Sequence, residues 1–223
     1  MQFEKSSFQF LKDLQKNNNR DWFTEHKPTF VDIQKHVKEV FLEMQANLEK
    51  HDDIDKMKIY RIYRDVRFSK DKTPYNPRLA VSFSRLGKHL RGGYFLQVKP
   101  GETLLGGGFW QPEKEDLLRI RKEIEQDATE FRDILEDKDY IKYFGGQFGG
   151  DELKSAPRGF DKDHKDIDLL RKKGFIAIRN FTDAEVLSPN FLEELDNTFK
   201  ALRPFFNLFS DVLTTNLNGE SVI

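Results

Sequence analysis

Two runs of apolar residues at helical spacing, one near each end of the chain, constrain the fold most strongly. In the first run, apolar residues recur every three or four positions after Pro28, which predicts a helix of about 20 residues ending near Lys50. The second run follows Ser188-Pro189, and Pro204 is expected to kink its helix. Its apolar stripe includes Phe191, Phe199, Phe205, Phe206 and Phe209. Both helices must bury these stripes, so the segment between them has to supply a partner surface.

That middle segment is typical of β-structure. The predicted strands cover residues 57–63, 79–84, 94–98, 103–110 and 174–181. Pro100-Gly101 is the residue pair of a type II turn, so the third and fourth strands are predicted to form a hairpin. Shorter helical segments are predicted over residues 6–16, 19–23, 112–126, 128–135 and 166–173, and residues 145–165 are predicted to be irregular.

This order of elements predicts the fold class. Helices stand at both ends, strands lie between them, and the connections are too short for repeated βαβ crossovers. We therefore predict an α+β fold: a single domain over residues 1–223, with a mainly antiparallel sheet flanked by N-terminal and C-terminal helices.

The formal net charge of −1 conceals an uneven distribution. Residues 56–91 carry eleven Lys or Arg and two acids, a local charge of +9. Residues 39–55 and 113–139 each carry a net −5. A segment this basic can produce a local positive field inside a nearly neutral protein, so a localised anion site is favoured over uniform binding along a polyanion.

Several classes of protein are disfavoured by what the sequence lacks. It has no cysteine, which excludes a disulfide scaffold, a thiol nucleophile and a cysteine-based zinc site. It has no P-loop, no G-x-G-x-x-G, no G-x-S-x-G and no H-E-x-x-H, so we predict no cofactor and no metal site. Without an 18-residue apolar run or an apolar stretch after Met1, we expect a cytoplasmic protein with no membrane partner. The oligomeric state is not indicated.

The basic charge is densest in residues 61–75, where three arginines at spacing three are followed by two lysines and Pro74-Tyr75. On a helix this spacing would place the three arginines on one face, whereas on a strand the middle one would oppose the other two. A second basic segment, residues 154–160, could complete a pocket by aiming backbone amides at an anion. The residues that we predict to bind the ligand are Arg61, Arg64, Arg67, Lys70, Lys72, Tyr75, Lys154 and Arg158.

An alternative reading of these cations stays open. They would then pair with the acids of residues 39–55 and 113–139 in a surface network, since charge runs are usually solvated faces.

The same segments carry a resemblance to a known family. Residues 18–23 read NNRDWF and residues 61–75 read RIYRDVRFSKDKTPY. These resemble the patterns N-x-R-x-W-F and R-x-x-R-D-x-R-F-x-x-x-K-x-P-Y of a family of bacterial and fungal proteins known as a domain of unknown function. The runs GGYF at 92–95, GGGFWQP at 106–112 and PRGF at 157–160 also fit it. The resemblance implies a single full-length domain and implies no particular activity.

Our leading functional hypothesis is a pocket for a small ligand that bears phosphate or carboxylate, because the arginine fork suits bidentate contact with such groups. Whether the chain is an enzyme is left open; its candidate proton-transfer groups are His164, Asp65 and Tyr75. We expect His164 to be a solvated loop residue, with several acids around it, and Tyr75 to pack beside Pro74.

Two other classes of function remain alternatives. The protein could bind single-stranded nucleic acid, with Tyr60, Tyr63, Phe68 and Tyr75 as stacking platforms among the cations. It could also be an interaction scaffold without a small ligand. Trp22 and Phe23 are expected to dock the N-terminal turn onto the body of the protein, and Trp110 to do the same or to line a pocket.

Overall fold

The computed structural model describes residues 1–223. The helices are α1 (Lys5–Lys16), α2 (Arg20–Leu48), α3 (Lys114–Gln126), α4 (Thr129–Glu136), α5 (Lys138–Phe144), α6 (Ile167–Leu170), α7 (Asp183–Val186), α8 (Phe191–Ala201) and α9 (Arg203–Thr214). The strands are β1 (Ile54–Ile59), β2 (Leu79–Arg85), β3 (Gly93–Val98), β4 (Thr103–Phe109) and β5 (Phe175–Phe181). They form one antiparallel sheet in the order β1-β2-β3-β4-β5. The predicted α+β fold, with an antiparallel sheet and helices at both ends, is confirmed.

The chain forms two compact units. The first unit comprises Met1–Phe83, Phe95–Leu105 and Asn180–Asn197, and the second comprises Ser84–Tyr94, Gly106–Arg179 and Thr198–Ile223. The extent of one domain over residues 1–223 stays a prediction. No helix combines the length with the apolar character needed to cross a bilayer.

In the first unit, α2 packs against α1 and against β1. The apolar stripe of α2 is buried along its length, and aromatic rings join it to α1. Phe10 of α1 stacks on Phe30 of α2 with ring centroids 5.6 Å apart, and it meets Phe23 edge to face at 6.4 Å. Such ring pairs contribute beyond the area that they bury, so this cluster fixes how the two helices pack.

In the second unit, the core centres on Phe209 of α9, which is completely buried. Its ring contacts five other rings, with centroid distances from 4.7 to 5.9 Å. They are those of Phe109, Phe131, Phe148, Phe175 and Phe205. All five phenylalanines of the last apolar stripe are buried, so they are core residues, as predicted.

Two prolines act differently from the sequence prediction. Residues 19–23 and the helix after Pro28 were expected as separate elements, but α2 runs continuously from Arg20 with Pro28 inside it. Phe23 and Phe30 lie two turns apart on one buried face with their rings 5.4 Å apart, and this packing outweighs the one backbone hydrogen bond that Pro28 removes. At Pro204 the expected kink is a one-residue interruption: α8 ends at Ala201, Leu202 keeps helical backbone angles, and Pro204 occupies the first turn of α9.

The prediction of the first strand was wrong in its position. β1 covers Ile54–Ile59 rather than residues 57–63. The apolar signal that extended the prediction came from Ile62, which is buried outside the sheet. The short helices α5 and α7 were not predicted, although the Thr182-x-x-Glu185 capping box at the start of α7 was visible in the sequence.

We predict that Phe209→Ala lowers the free energy of unfolding by about 3–5 kcal/mol, because it leaves a cavity among five packed rings. Phe68→Ala is the matched control: Phe68 is 98% exposed, and the same substitution there should change the stability by less than about 0.5 kcal/mol. Urea denaturation measures both values. Equal losses for the two variants would contradict this description of the core.

Candidate functional site

Residues 61–75, here called the basic loop, leave the sheet after β1 and return before β2. A β-bridge between Tyr63 and Tyr75 closes the loop. The Arg64 N–H donates to the Pro74 carbonyl at 2.9 Å, which extends the closure by one residue on each side. The loop is neither a helix nor a continuous strand, so both readings of the arginine spacing were wrong. The closed base, rather than a helical or strand period, determines where the cations lie.

The base of the basic loop is held by Asn18, which lies between α1 and α2. Its side-chain amide donates to the Tyr75 carbonyl at 2.9 Å, and its side-chain oxygen accepts the Tyr75 N–H at 3.1 Å. Asn19, the next residue, caps α2 by accepting the Trp22 N–H. The two sequence motifs at 18–23 and 61–75 therefore meet in space, which the sequence alone did not indicate.

Ring stacking completes this attachment. The Tyr75 ring stacks on Phe23 with centroids 4.1 Å apart, and the Tyr63 ring meets Phe23 edge to face at 5.7 Å. Tyr75 is 5% exposed, and this burial raises the pKa of its hydroxyl. Tyr75 was predicted both to touch the ligand and to pack beside Pro74; the structure shows its ring packed at the base of the loop.

Arg64 is held by groups of the basic loop itself. Its Nη1 donates to the Asp71 carboxylate at 2.5 Å, and also to the hydroxyl and the carbonyl of Thr73. Asp71 in turn accepts the Thr73 N–H at 2.9 Å. The remaining guanidinium nitrogens of Arg64, Nε and Nη2, make no hydrogen bond within the protein. Arg64 is thus fixed in orientation while part of its donor set stays available.

Arg67 and Lys72 also find partners within the basic loop. Arg67 forms a bidentate pair with Asp65, through Nε at 3.0 Å and Nη2 at 2.6 Å. The Lys72 ammonium donates to the carbonyl of Val66 at 2.9 Å. The alternative in which these cations pair with acids of 39–55 and 113–139 is therefore wrong for Arg64 and Arg67. Their carboxylate partners are the loop's own two aspartates, because these are the nearest acids along a tightly closed chain.

Arg61 and Lys70 are exposed and make no hydrogen bond or ion pair within the protein. The basic loop contains five cations and two carboxylates, so it carries a net +3. Both carboxylates are already bonded to arginines. Arg61 acts on Asp65 only through its charge, and neither Arg61 nor Lys70 forms a direct ion pair in the loop.

The other predicted ligand residues, Lys154 and Arg158, lie in the second unit on an irregular segment. Both side chains are exposed and form no ion pair. Their convergence with the basic loop on a single pocket stays a prediction.

His164, the first candidate proton-transfer group, lies half-buried in the second unit. Its Nδ1 accepts the Asp166 N–H at 3.1 Å, which makes Nε2 the protonated nitrogen that donates to the Glu125 carbonyl at 3.2 Å. The neighbouring Asp166 and Asp168 are both bonded to Arg132. His164 was expected to be solvated, whereas both of its ring nitrogens are used by backbone groups, so it serves to fix the local chain.

The aromatic side chains proposed as stacking platforms differ in accessibility. Phe68, at the tip of the basic loop, is 98% exposed, and the Arg67 guanidinium lies 6.0 Å from its ring centroid. Tyr63 is 46% exposed, and Tyr60 meets the ring of Phe95 edge to face. Of the four platforms, only Phe68 presents a fully exposed ring.

We predict that Asn18→Ala loosens the basic loop, because it removes both hydrogen bonds to the Tyr75 backbone. The free energy of unfolding should fall by about 1–3 kcal/mol, and the Tyr75 amide should exchange with solvent faster than in the wild type. Asn17→Ala is the control, since the Asn17 side chain bonds only to the Asp13 carbonyl of the neighbouring helix α1. An unchanged exchange rate of the Tyr75 amide in Asn18→Ala would show that the two Asn18 hydrogen bonds do not hold the loop.

We predict that Asp71 titrates with a pKa of about 2. The Thr73 N–H lowers the pKa most, followed by the Arg64 guanidinium and the Thr73 hydroxyl, from the ordinary value of 3.8. A carboxyl group whose pKa is lowered by folding stabilises the loop above its ordinary pKa and loses this contribution as the pH falls towards 2. Carbon-detected NMR of the side-chain carboxyl measures the midpoint.

In Arg64→Ala the pKa of Asp71 should rise but stay below 3.8, since the Thr73 N–H remains. The pKa of Asp65, which is lowered chiefly by the Arg67 side chain, should not move in that variant and serves as the control. A wild-type Asp71 midpoint near 3.8 would refute the hydrogen-bond network described above.

Comparison with known proteins identifies the family of the chain. A family model described as "Conserved hypothetical protein (DUF2461)" matches residues 6–208. No curated protein and no solved structure matches the chain. The match covers most of the chain, including residues 18–23 and the whole basic loop, and the resemblance found in the sequence is confirmed. The chain belongs to the conserved hypothetical family DUF2461.

Proposed function

We propose that the basic loop binds a small ligand that bears phosphate or carboxylate. The observation that carries this proposal is the state of Arg61 and Lys70: both are exposed and lack any acceptor in the protein, while the two loop carboxylates are occupied by Arg64 and Arg67. An incoming anion would therefore meet unpaired cations and would not have to displace an existing ion pair.

Preorganisation supports the same conclusion. Arg64 is held by Asp71 and Thr73 with Nε and Nη2 unused, and a guanidinium fixed in this way loses little freedom when it binds a second acceptor. The Lys72 ammonium donates to backbone carbonyls of the basic loop. It has no carboxylate partner, so it adds positive charge to the loop. Arg61 and Lys70 would make the main contacts, Arg64 would orient the anion, and Arg67 and Lys72 would add to the positive field.

Lys154 and Arg158 are also exposed cations without an ion pair, and their part in binding the anion stays a prediction from the sequence. The proposal assigns no reaction, and it uses neither His164 nor Tyr75 as a proton-transfer group, since the first bonds to backbone and the ring of the second is packed.

A second candidate function rests on Phe68. A fully exposed ring beside Arg67, on a loop of net charge +3, fits the stacking of a base in single-stranded nucleic acid. Binding of that kind weakens steeply with added salt, because each backbone contact releases a counterion. It would also depend on Phe68, whereas binding of a small anion would not.

We predict that inorganic phosphate or pyrophosphate shifts the backbone NMR signals of the basic loop at low ionic strength. Arg61→Ala/Lys70→Ala should weaken the affinity at least about tenfold, because hydrogen bonds to charged groups are worth about 1.5–3 kcal/mol each. The matched control is Lys5→Ala/Lys16→Ala, which removes the same charge from exposed positions of α1 in the same unit. Equal affinity in both double variants would refute the site.

The companion measurements separate the two functions. Lys154→Ala/Arg158→Ala tests whether the second unit contributes ligands. Titration with a short oligo(dT) at several salt concentrations, with wild type and Phe68→Ala, tests the nucleic-acid function. Loss of oligo(dT) binding in Phe68→Ala with unchanged phosphate binding would favour that second candidate.

A further inference from the structure

A separate cleft lies in the second unit, where β4 ends and β5 begins. It is lined by Trp110, Gln111, Gly150, Asp151 and Lys173, and its volume is about 140 Å³. Clefts for nucleotides or drug-sized molecules measure about 300–1,000 Å³, so this one has room for a single small ring.

Beside the cleft, glycines let backbone segments approach one another closely. A Cβ added at Gly174 would lie 2.3 Å from the Trp110 carbonyl oxygen, and one added at Gly150 would lie 2.8 Å from the Gly174 carbonyl oxygen. Gly150 also has a φ of +116°, which side-chain-bearing residues rarely adopt. At these positions three backbone segments approach too closely to admit a side chain.

Trp110 lines the cleft and is 64% exposed. Trp110 makes no ring contact, no cation–π contact and no side-chain hydrogen bond within the protein. Tryptophan is normally among the more buried residue types, and its N–H usually finds a partner when it packs in a core. Here the indole ring therefore offers both an apolar face and a donor to something outside the chain.

The two charged side chains of the cleft, Lys173 and Asp151, have opposite signs. The ammonium of Lys173 lies 3.8 Å from the Asp151 carboxylate, and the Lys173 N–H donates to the Asp151 carbonyl at 2.8 Å, which fixes the two residues side by side. A small anion would meet Asp151, and a small cation would meet Lys173. The cleft therefore suits a neutral ligand that carries several hydroxyl groups, which can donate to the carboxylate and accept from the ammonium and the Gln111 amide.

A pyranose ring has this combination of features. One of its faces presents C–H groups that pack on an aromatic ring, and its edges carry hydroxyls that are both donors and acceptors. We propose that this cleft binds one pyranose unit of a carbohydrate, with Trp110 stacking against its apolar face and Asp151, Lys173 and Gln111 bonding its hydroxyls. This site is independent of the basic loop.

The test uses the full chain and defined sugars. In Trp22→Phe, Trp110 is the sole tryptophan, so its fluorescence reports on the cleft. We expect a saturable change on titration with at least one of the methyl pyranosides of glucose, galactose, mannose and N-acetylglucosamine. Saturation-transfer NMR with the same sugar measures binding in variants that lack Trp110.

Trp110→Ala should abolish binding, and Trp110→Phe should retain part of it, because a smaller ring still stacks. Asp151→Asn should weaken binding about tenfold through loss of a charged hydrogen-bond acceptor. Asp163→Asn is the matched control and should leave binding unchanged. The Asp163 side chain lies in the same unit and, like that of Asp151, is 80% exposed. Circular dichroism and thermal unfolding establish that each variant is folded.

Three outcomes would overturn the proposal. The first is the absence of a saturable response to all four pyranosides at concentrations up to about 0.1 M, where even weak binding would be detected. The second is an equal response to glycerol, and the third is equal binding by folded Trp110→Ala. Arg61→Ala/Lys70→Ala should bind the sugar like the wild type, so failure of the anion site and failure of this cleft are distinguished.

Discussion

A stacked pair of rings, Tyr75 on Phe23, ties the basic loop to the helical core of the first unit. Phe23 also contacts Phe10 and Phe30, so the loop base is continuous with the packing that joins α1 to α2. The double hydrogen bond from Asn18 to the Tyr75 backbone then sets the register of this attachment. A loop with five cations repels itself, and this fixed base is what allows it to adopt one conformation.

The electrostatics of the loop follow from that closed geometry. Because the chain turns back on itself between Tyr63 and Tyr75, the loop's own aspartates reach Arg64 and Arg67 before any distant acid can. The basic block of residues 56–91 does use a distant acid at its other end, where Arg91 pairs with Asp116 within the second unit. The positive charge that remains available in the loop is thus confined to Arg61, Lys70 and the unused nitrogens of Arg64.

Prediction from sequence succeeded for elements that depend on neighbouring residues, and it failed where tertiary packing determines the extent of a helix or strand. The helical period of α2 and the Pro-Gly turn between β3 and β4 were sufficient to place those elements, because each depends on neighbours within a few residues. The continuity of α2 through Pro28 depends on the buried rings on either side, and the sequence alone indicated a boundary there. Ile62 misled the strand prediction for the same reason: its burial comes from tertiary packing and not from the sheet.

The sequence by itself determined the fold class, the family and the concentration of positive charge between residues 61 and 75. These features depend only on which residues follow one another along the chain. Only the tertiary structure decided which of those cations are available. Asn18 and Tyr75 are 57 residues apart, and the contact between them depends on how α1, α2 and the basic loop pack together. Likewise, the exposure of Trp110 beside Lys173 depends on backbone segments brought together by glycines, and no local pattern encodes such an approach.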